Sequence, residues 1–95
     1  MTAYKLSEAA AEDFEMIFTF GIELFGLEKA LDYQLGMKKR FDAIAYQPKQ
    51  YPAINHIRLG YFRSVYGSHS IYYRLDKEHI LIVRILGKQD IKTEL

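Results

Sequence analysis

The segment from residue 57 to residue 90 alternates in the way that β-strands do, and turn sequences interrupt it twice. The interruptions are Tyr66-Gly67-Ser68 and Asp76-Lys77-Glu78, each lying between two apolar runs. Because successive side chains of a strand point to opposite faces, the pattern predicts three consecutive antiparallel strands.

The last of these strands is apolar on almost both faces, so we expect it to lie centrally in the sheet with other elements packed on each side. Strict alternation places Ile80, Ile82 and Leu86 on one face and Ile85 on the other. Arg84 is the exception in this strand. We expect it either to reach the rim of the sheet or to point into a polar cleft.

Two helices are predicted between an N-terminal strand, Thr2–Ser7, and this sheet. Ser7 is well placed as the N-cap of the first helix and Gly26 as its C-terminal cap. The second helix follows at once and runs to about Tyr46, so the two fold back as a hairpin. The apolar residues of the first helix recur at helical spacing: Phe14, Ile17, Phe18, Gly21, Ile22 and Phe25. The apolar side of the second helix comprises Ala30, Tyr33, Gln34, Met37, Phe41 and Ile44.

The order of elements predicts an α+β fold, in which a helix hairpin packs on a four-stranded, mostly antiparallel sheet. The N-terminal strand is expected at an edge of the sheet or at a switch in strand order. With 95 residues, the chain is long enough for one hydrophobic core, so residues 1–95 are expected to form a single domain.

Composition and charge exclude several classes of protein. There is no cysteine, so disulfides and thiolate metal sites are excluded. No apolar run is long enough to span a membrane, and acidic residues stand where a signal peptide has its apolar stretch, so we expect a cytoplasmic protein. The net charge is only +1, but the sheet half is the basic half, which indicates either a solvated surface or a contact surface for an acidic partner.

Most catalytic chemistry is poorly supported by the sequence. The histidines His56, His69 and His79 lack ligand partners at metal spacing, and neither a nucleophile elbow nor a phosphate loop is present, so we expect no metal and no cofactor. One enzymatic option survives, metal-free RNA cleavage, in which arginines stabilise the phosphorane and His69 or a tyrosine moves protons. His69 has an equally simple structural explanation, which is that it caps the turn after Gly67.

The order and spacing of several residues resemble the ParE branch of the RelE/ParE toxin superfamily. The resemblance covers essentially the whole chain and includes the opening Tyr4-Lys5-Leu6-Ser7 and the closing residues 85–90. The positions that carry it in the sheet are Arg58, Gly60, Arg63, Gly67, His69, Ile71 and Tyr73. It implies a bacterial type II toxin that is neutralised by a ParD-like antitoxin in a toxin-antitoxin hetero-oligomer.

ParE-like toxins inhibit DNA gyrase, whereas their RelE-like relatives cut messenger RNA on the ribosome. The nucleases commonly keep a histidine or tyrosine at or after the last strand, and residues 85–95 contain neither, so the resemblance favours a gyrase inhibitor that acts by binding. The residues expected to face gyrase are Arg63, Arg74, Arg84 and Lys88. Those expected to meet the antitoxin are Phe18, Ile22, Phe25, Tyr33 and Met37.

Two alternatives stay open at this point. A ribosome-dependent endonuclease would use Arg63, His69 and Arg84 as its catalytic residues. A toxin fold that has lost its activity would serve only as an antitoxin-binding or regulatory module. The aromatic content, eight tyrosines and six phenylalanines, suggests that some aromatic side chains stay exposed until a partner covers them.

Overall fold

Two helices lie before a three-stranded meander, and a short N-terminal strand completes the sheet. The computed structural model describes residues 3–87 and 94–95. Its elements are β1 (Tyr4–Leu6), α1 (Glu8–Phe25), α2 (Leu27–Tyr46), a 3-10 turn (Pro48–Gln50), β2 (Tyr61–Tyr66), β3 (His69–Leu75) and β4 (Ile80–Leu86). The strand order is β1-β4-β3-β2, with β1 parallel to β4 and the other pairs antiparallel. The predicted α+β fold is confirmed, and β1 lies at an edge.

Local signals at both ends of α1 act as the sequence predicts. The Ser7 hydroxyl accepts the Ala10 N–H at 3.0 Å and donates to the Val83 carbonyl at 2.7 Å, so one side chain caps α1 and joins it to β4. Gly26 ends the helix with φ +90°, a backbone conformation that favours glycine, and its N–H donates to the Ile22 carbonyl. The second helix begins at the next residue. No helix in the described part of the chain is both long and apolar enough to cross a bilayer.

The main core lies between the helix hairpin and one face of the sheet. Its buried residues are Ala10, Met37, Phe41, Ile44, Ala45, Ile71, Tyr73, Ile80, Ile82 and Ile85. The prediction of strict alternation in β4 is wrong, because Tyr72 pairs with Arg84 while Tyr73 pairs with Ile82. Val83 is therefore an extra residue in β4, a β-bulge that reverses the alternation after it. Ile85 turns toward the helices, and Leu86 turns to the opposite face.

The second face of the sheet is covered by the segment before β2 and by the chain end. Ile54, Tyr72 and Leu86 form a small buried cluster, against which Ile57 and Leu95 pack. The predicted strand begins at residue 57, but β2 begins only at Tyr61, because the segment before it folds back. The Ile54 N–H donates to the Tyr61 carbonyl at 2.8 Å, which holds this segment along the edge of β2.

Gly36 in α2 lies under the side chain of Tyr66 from β2. A methyl group at Gly36 would overlap the Tyr66 hydroxyl, so the glycine allows a close approach of α2 to the sheet. In a free helix, alanine at this position would be favoured over glycine by about 1 kcal/mol.

We expect Gly36→Ala to lower the free energy of unfolding by about 1 to 3 kcal/mol, because the Tyr66 ring must move away. The measurement is equilibrium denaturation of the purified chain. The double variant Gly36→Ala with Tyr66→Phe should be less destabilised than the sum of the single variants, since the overlapping oxygen is gone. A stabilising effect of Gly36→Ala would show that Tyr66 does not pack there.

Candidate functional site

An apolar groove of about 500 Å³ lies along the helix hairpin and ends at the β2–β3 turn. Its apolar lining is Ile17, Phe18, Phe20, Gly21, Leu24, Phe25 and Ala30. Its polar end, at the β2–β3 turn, is formed by Tyr33, Gln34, Ser68 and His69, and Lys29 lines the groove near the start of α2. The groove therefore combines an apolar floor with a few polar groups at one end, as binding sites commonly do.

Large apolar side chains around the turn of the hairpin are exposed to solvent. Leu24 is 72% exposed, Phe25 66% and Phe20 54%. Leu27, Leu31 and Leu35 on α2 add further exposed apolar surface beyond the groove. An exposed patch of this kind on a small protein is typical of an interaction surface.

Tyr33 organises the polar end of the groove. Its hydroxyl donates to the Tyr66 carbonyl at 3.0 Å, accepts the Ser68 N–H at 3.2 Å and lies 2.7 Å from His69 Nδ1. A hydroxyl has one proton and two lone pairs, so all three contacts are satisfied when Nδ1 carries the proton of neutral His69. Burial raises the pKa of Tyr33 and lowers the pKa of His69, so both groups favour their neutral forms.

Gly67 shows how closely this tyrosine packs on the turn. Its φ is +55°, and a Cβ placed there would lie 2.6 Å from the Tyr33 hydroxyl oxygen. The β2–β3 turn is thus fixed to α2, and the polar end of the groove is held in one geometry.

Arg84 forms an ion pair that joins β4 to α1. Its Nε and Nη2 donate to the two carboxylate oxygens of Asp13 at 2.7 and 3.0 Å. The same carboxylate accepts the Ile85 N–H at 3.0 Å, and Glu94 accepts a further bond from Arg84 at 3.2 Å. Bidentate pairs of this kind are the strong ones, and both side chains of the Asp13 pair are mostly buried.

Comparison with known proteins identifies the family. Residues 4–91 match the model of the ParE toxin of type II toxin-antitoxin systems. The chain belongs to the ParE toxin family. Toxin ParE1 of Caulobacter vibrioides is 33% identical over 86 residues, which cover 90% of this chain and 88% of that protein. Toxin ParE1 of Mycobacterium tuberculosis is 32% identical over 87 residues, covering 90% and 89%.

A solved structure supports the fold of this ParE-family chain. A chain in the chromosomal ParDE TA system from P. aeruginosa superposes with a TM-score of 0.79 at 22% identity. The match covers 94% of this chain and 98% of that chain.

The ParE fold distributes the predicted antitoxin contacts unevenly. Phe18, Phe25 and Tyr33 line the groove, and Ile22 is partly exposed beside it. The prediction for Met37 is wrong, because its side chain is fully buried in the main core and offers no surface to a partner. Helical spacing alone did not separate the end of α2 that lies over the sheet from the end that extends beyond it.

The predicted target contacts lie in three different environments. Arg63 is exposed on the face of β2 opposite the helices and makes no contact with another charged group in the described part of the chain. Arg74 lies on the same face, in β3. The pKa of Asp76 is lowered mainly by a hydrogen bond from the Lys77 N–H, and the charge of Arg74 lowers it further. Arg84 is neither a free cation at the rim nor a side chain in an open cleft, because it forms ion pairs with Asp13 and Glu94. Lys88 lies outside the described residues.

The three residues of the nuclease alternative do not come together in this ParE chain. His69 pairs with Tyr66 across the turn and faces α2, whereas Arg63 pairs with Tyr72 on the opposite face of the sheet. Arg84 is held by Asp13 at the edge of β4. Arg63 and Arg84 flank Tyr72 on the face opposite His69, and the charge of Arg84 is already paired with Asp13. The base is therefore separated from the cations that the reaction would require beside it.

Sequence reasoning missed three residues of interest. Phe20 and Leu24 line the groove. They stand four residues apart on α1, so they form a second apolar row in addition to the stripe that faces the core. Arg40 lies between two tyrosines, a contact that joins α2 to distant segments. Of these two features, only the four-residue spacing of Phe20 and Leu24 can be found in the sequence.

We expect Arg84→Met to lower the free energy of unfolding by about 2 to 3 kcal/mol, because Asp13 is left mostly buried without its cation. Arg63→Met is the matched control and should change stability by less than about 0.5 kcal/mol, since Arg63 is exposed. Chemical denaturation measures both. Combining Arg84→Met with Asp13→Asn should cost less than the two single changes together. Equal stabilities of the two arginine variants would contradict the structural role of the pair.

The lowered pKa of His69 predicts a pH dependence of folding. The ordinary pKa is 6.5, and the folded state binds this proton less readily than the unfolded state. The stabilisation that comes from keeping His69 neutral is therefore full above about pH 6.5. It is lost as the pH falls toward the pKa of His69 in the folded state, which lies below 6.5. The loss of stability between about pH 7.5 and pH 5.5 should shrink in His69→Gln and persist in the exposed control His56→Gln. Equal losses in both variants would show that His69 is not the titrating group.

Proposed function

We propose that this ParE toxin acts by binding DNA gyrase, and that a ParD-like antitoxin neutralises it by occupying the hairpin groove. The observation that carries the proposal is the contrast between the hairpin groove and the residues of the nuclease alternative. The hairpin presents a large apolar groove, while His69 lies on the opposite face of the sheet from Arg63, and Arg84 is paired with Asp13. Such a chain is built for binding rather than for proton transfer.

The groove suits an amphipathic helix or an extended segment with apolar side chains. Phe20, Leu24 and Phe25 are exposed enough to be covered by such a partner, and their burial would stabilise the complex. Lys29 and the His69 end of the groove offer polar contacts that fix its direction. Neutralisation then produces a toxin-antitoxin hetero-oligomer, which we place in the cytoplasm together with gyrase.

The face of the sheet opposite the helices is the surface proposed for gyrase. Arg63 and Arg74 stand on adjacent strands with their side chains on the same face. Arg58 lies over the Tyr61 ring nearby and donates to the Leu95 carbonyl, which adds a third cation. A surface that carries several cations attracts an acidic enzyme surface or its bound DNA. Arg84 contributes by holding α1 on β4, and Lys88 follows as a further proposed contact.

The deciding experiment measures supercoiling of a relaxed plasmid by gyrase, with and without the purified chain. We expect inhibition at micromolar concentration, accompanied by trapped cleaved plasmid, and relief on adding the antitoxin encoded beside the toxin. Arg63→Glu should require at least about tenfold more protein for half-inhibition, because it reverses a charge at the contact. Active gyrase that is unaffected, together with cleavage of ribosome-bound messenger RNA, would overturn the proposal in favour of the nuclease.

The groove is tested in the same assay through the antitoxin. Leu24→Asp should inhibit gyrase as the unaltered chain does, but should bind the antitoxin about 100-fold more weakly, which corresponds to about 2.7 kcal/mol. Leu59→Asp is the matched control, because Leu59 is 83% exposed and lies outside the groove. Equal weakening by both changes would show that the antitoxin does not use the groove. Absence of toxicity on expression, with the antitoxin still bound, would indicate a chain that only binds.

A further inference from the structure

A second concave site lies at the edge of β2, on the side away from the hairpin groove. It is a cleft of about 490 Å³ between β2 and the segment 51–57. Its ionisable side chains are Arg40, Arg63, His56 and Tyr51. None of the described side chains that line it is acidic. Its formal charge is therefore positive, and no protein carboxylate in the lining offsets it.

Arg40 brings a fixed guanidinium to this cleft. Its Nη1 donates to the buried Ser64 hydroxyl at 2.9 Å and to the Val65 carbonyl at 2.7 Å. The guanidinium carbon lies 5.7 Å from the Tyr51 ring centre and 5.5 Å from that of Tyr66. These partners orient the group but are all uncharged, so its full positive charge is retained.

Arg40 keeps further donors for a ligand. A guanidinium has five N–H groups, and the two on Nη1 are occupied by Ser64 and Val65. The Nε and Nη2 groups have no acceptor in the described part of the chain. Planar donors of this kind recognise the oxygens of an anion in pairs.

The wall opposite Arg40 is also held in place. The Arg63 N–H donates to the Pro52 carbonyl at 3.0 Å, and the Ile54 N–H donates to the Tyr61 carbonyl at 2.8 Å. The backbone of the segment 51–57 is thereby fixed on β2, while the Arg63 side chain is exposed and has no ion-pair partner among residues 3–87 and 94–95. The cleft thus has a second cation beside Arg40, and the preset orientation of Arg40 reduces the ordering cost of binding.

We propose that this cleft binds a phosphate group. Two guanidinium groups and an imidazole match the several oxygens and the double charge of phosphate better than the two oxygens of a single carboxylate. Free phosphate and phosphate monoesters present these oxygens and this charge in one group, whereas the phosphodiesters of nucleic acid present two free oxygens and one charge at each of many linkages. Arg63 also belongs to the surface proposed for gyrase, so the test below contains no gyrase and the two proposals fail separately.

The test is a titration of the folded chain, followed by NMR amide shifts at constant ionic strength. One arm uses inorganic phosphate, a second uses a 12-base-pair DNA duplex and a third uses an oligoglutamate peptide. We expect saturable shifts at cleft residues with inorganic phosphate, with a Kd on the order of 1 mM. Arg63→Gln should weaken binding at least fivefold, and its exposed position leaves folding intact. Lys38→Gln removes the same charge from an exposed lysine outside the cleft and should change the affinity less than twofold.

Each result has one meaning. Tighter binding of the duplex than of inorganic phosphate, lost in Arg63→Gln, supports a phosphodiester as the source. Binding of inorganic phosphate with no added affinity for the duplex supports a free phosphate or monoester. The proposal is overturned by the absence of saturable shifts with both phosphate probes, by equal weakening in Lys38→Gln, or by oligoglutamate binding as tightly as phosphate.

Discussion

The Asp13 carboxylate holds the two layers of this molecule together. It accepts both forks of the Arg84 guanidinium and also the Ile85 N–H, so a single side chain of α1 is bonded to the side chain and the backbone of β4. The ion pair lies where β1 no longer pairs with β4, because their ladder ends at Leu6 and Ile82. Beyond that point the edge of β4 would be open to solvent, and Asp13 satisfies one of its backbone donors. The Ser7 hydroxyl does the same for the Val83 carbonyl.

Anchoring α1 near its start leaves its second half free for another use. The only buried residue of α1 is Ala10, and the side chains from Phe20 onward extend along the hairpin beyond the sheet. The sheet and the end of the hairpin that packs on it stabilise the fold. The other end, where α1 turns into α2, exposes apolar surface that a partner can bury. Folding and partner binding are thus assigned to different ends of the same two helices, and a change in one end need not disturb the other.

The sequence predicted the elements whose signals are local. Ser7 begins α1 and Gly26 ends it, each through a contact within four residues. The pattern of β3 requires only the alternation of its own side chains. The bulge at Val83 was not predictable, because it depends on how β4 pairs with β3 and on the capping of its edge. Arg84 stands out as the charged residue of an apolar strand, but its partner lies 71 residues earlier in the chain. Alternation indicates which residues share a face and says nothing of which distant group they meet.

The candidate sites show the same limit. The apolar stripe of α1 predicted a surface for a partner, yet the same periodicity in α2 included Met37, which the sheet covers completely. Whether a helical stripe faces a core or a partner depends on where the sheet ends, and that is a property of the assembled layers. Arg40 carried no recognisable pattern, since its neighbours Tyr51 and Tyr66 come from two other segments.

The parallel pairing of β1 with β4 has a consequence for the order in which the fold can form. β1 lies at residues 4–6 and its partner at residues 80–82, so the contact is far more distant in sequence than the contacts within the hairpin. During synthesis the helix hairpin can close from neighbouring residues, while β1 must wait until β4 has been made. The sheet is therefore completed by the earliest of its four strands, and only after β4, the last of them, has emerged.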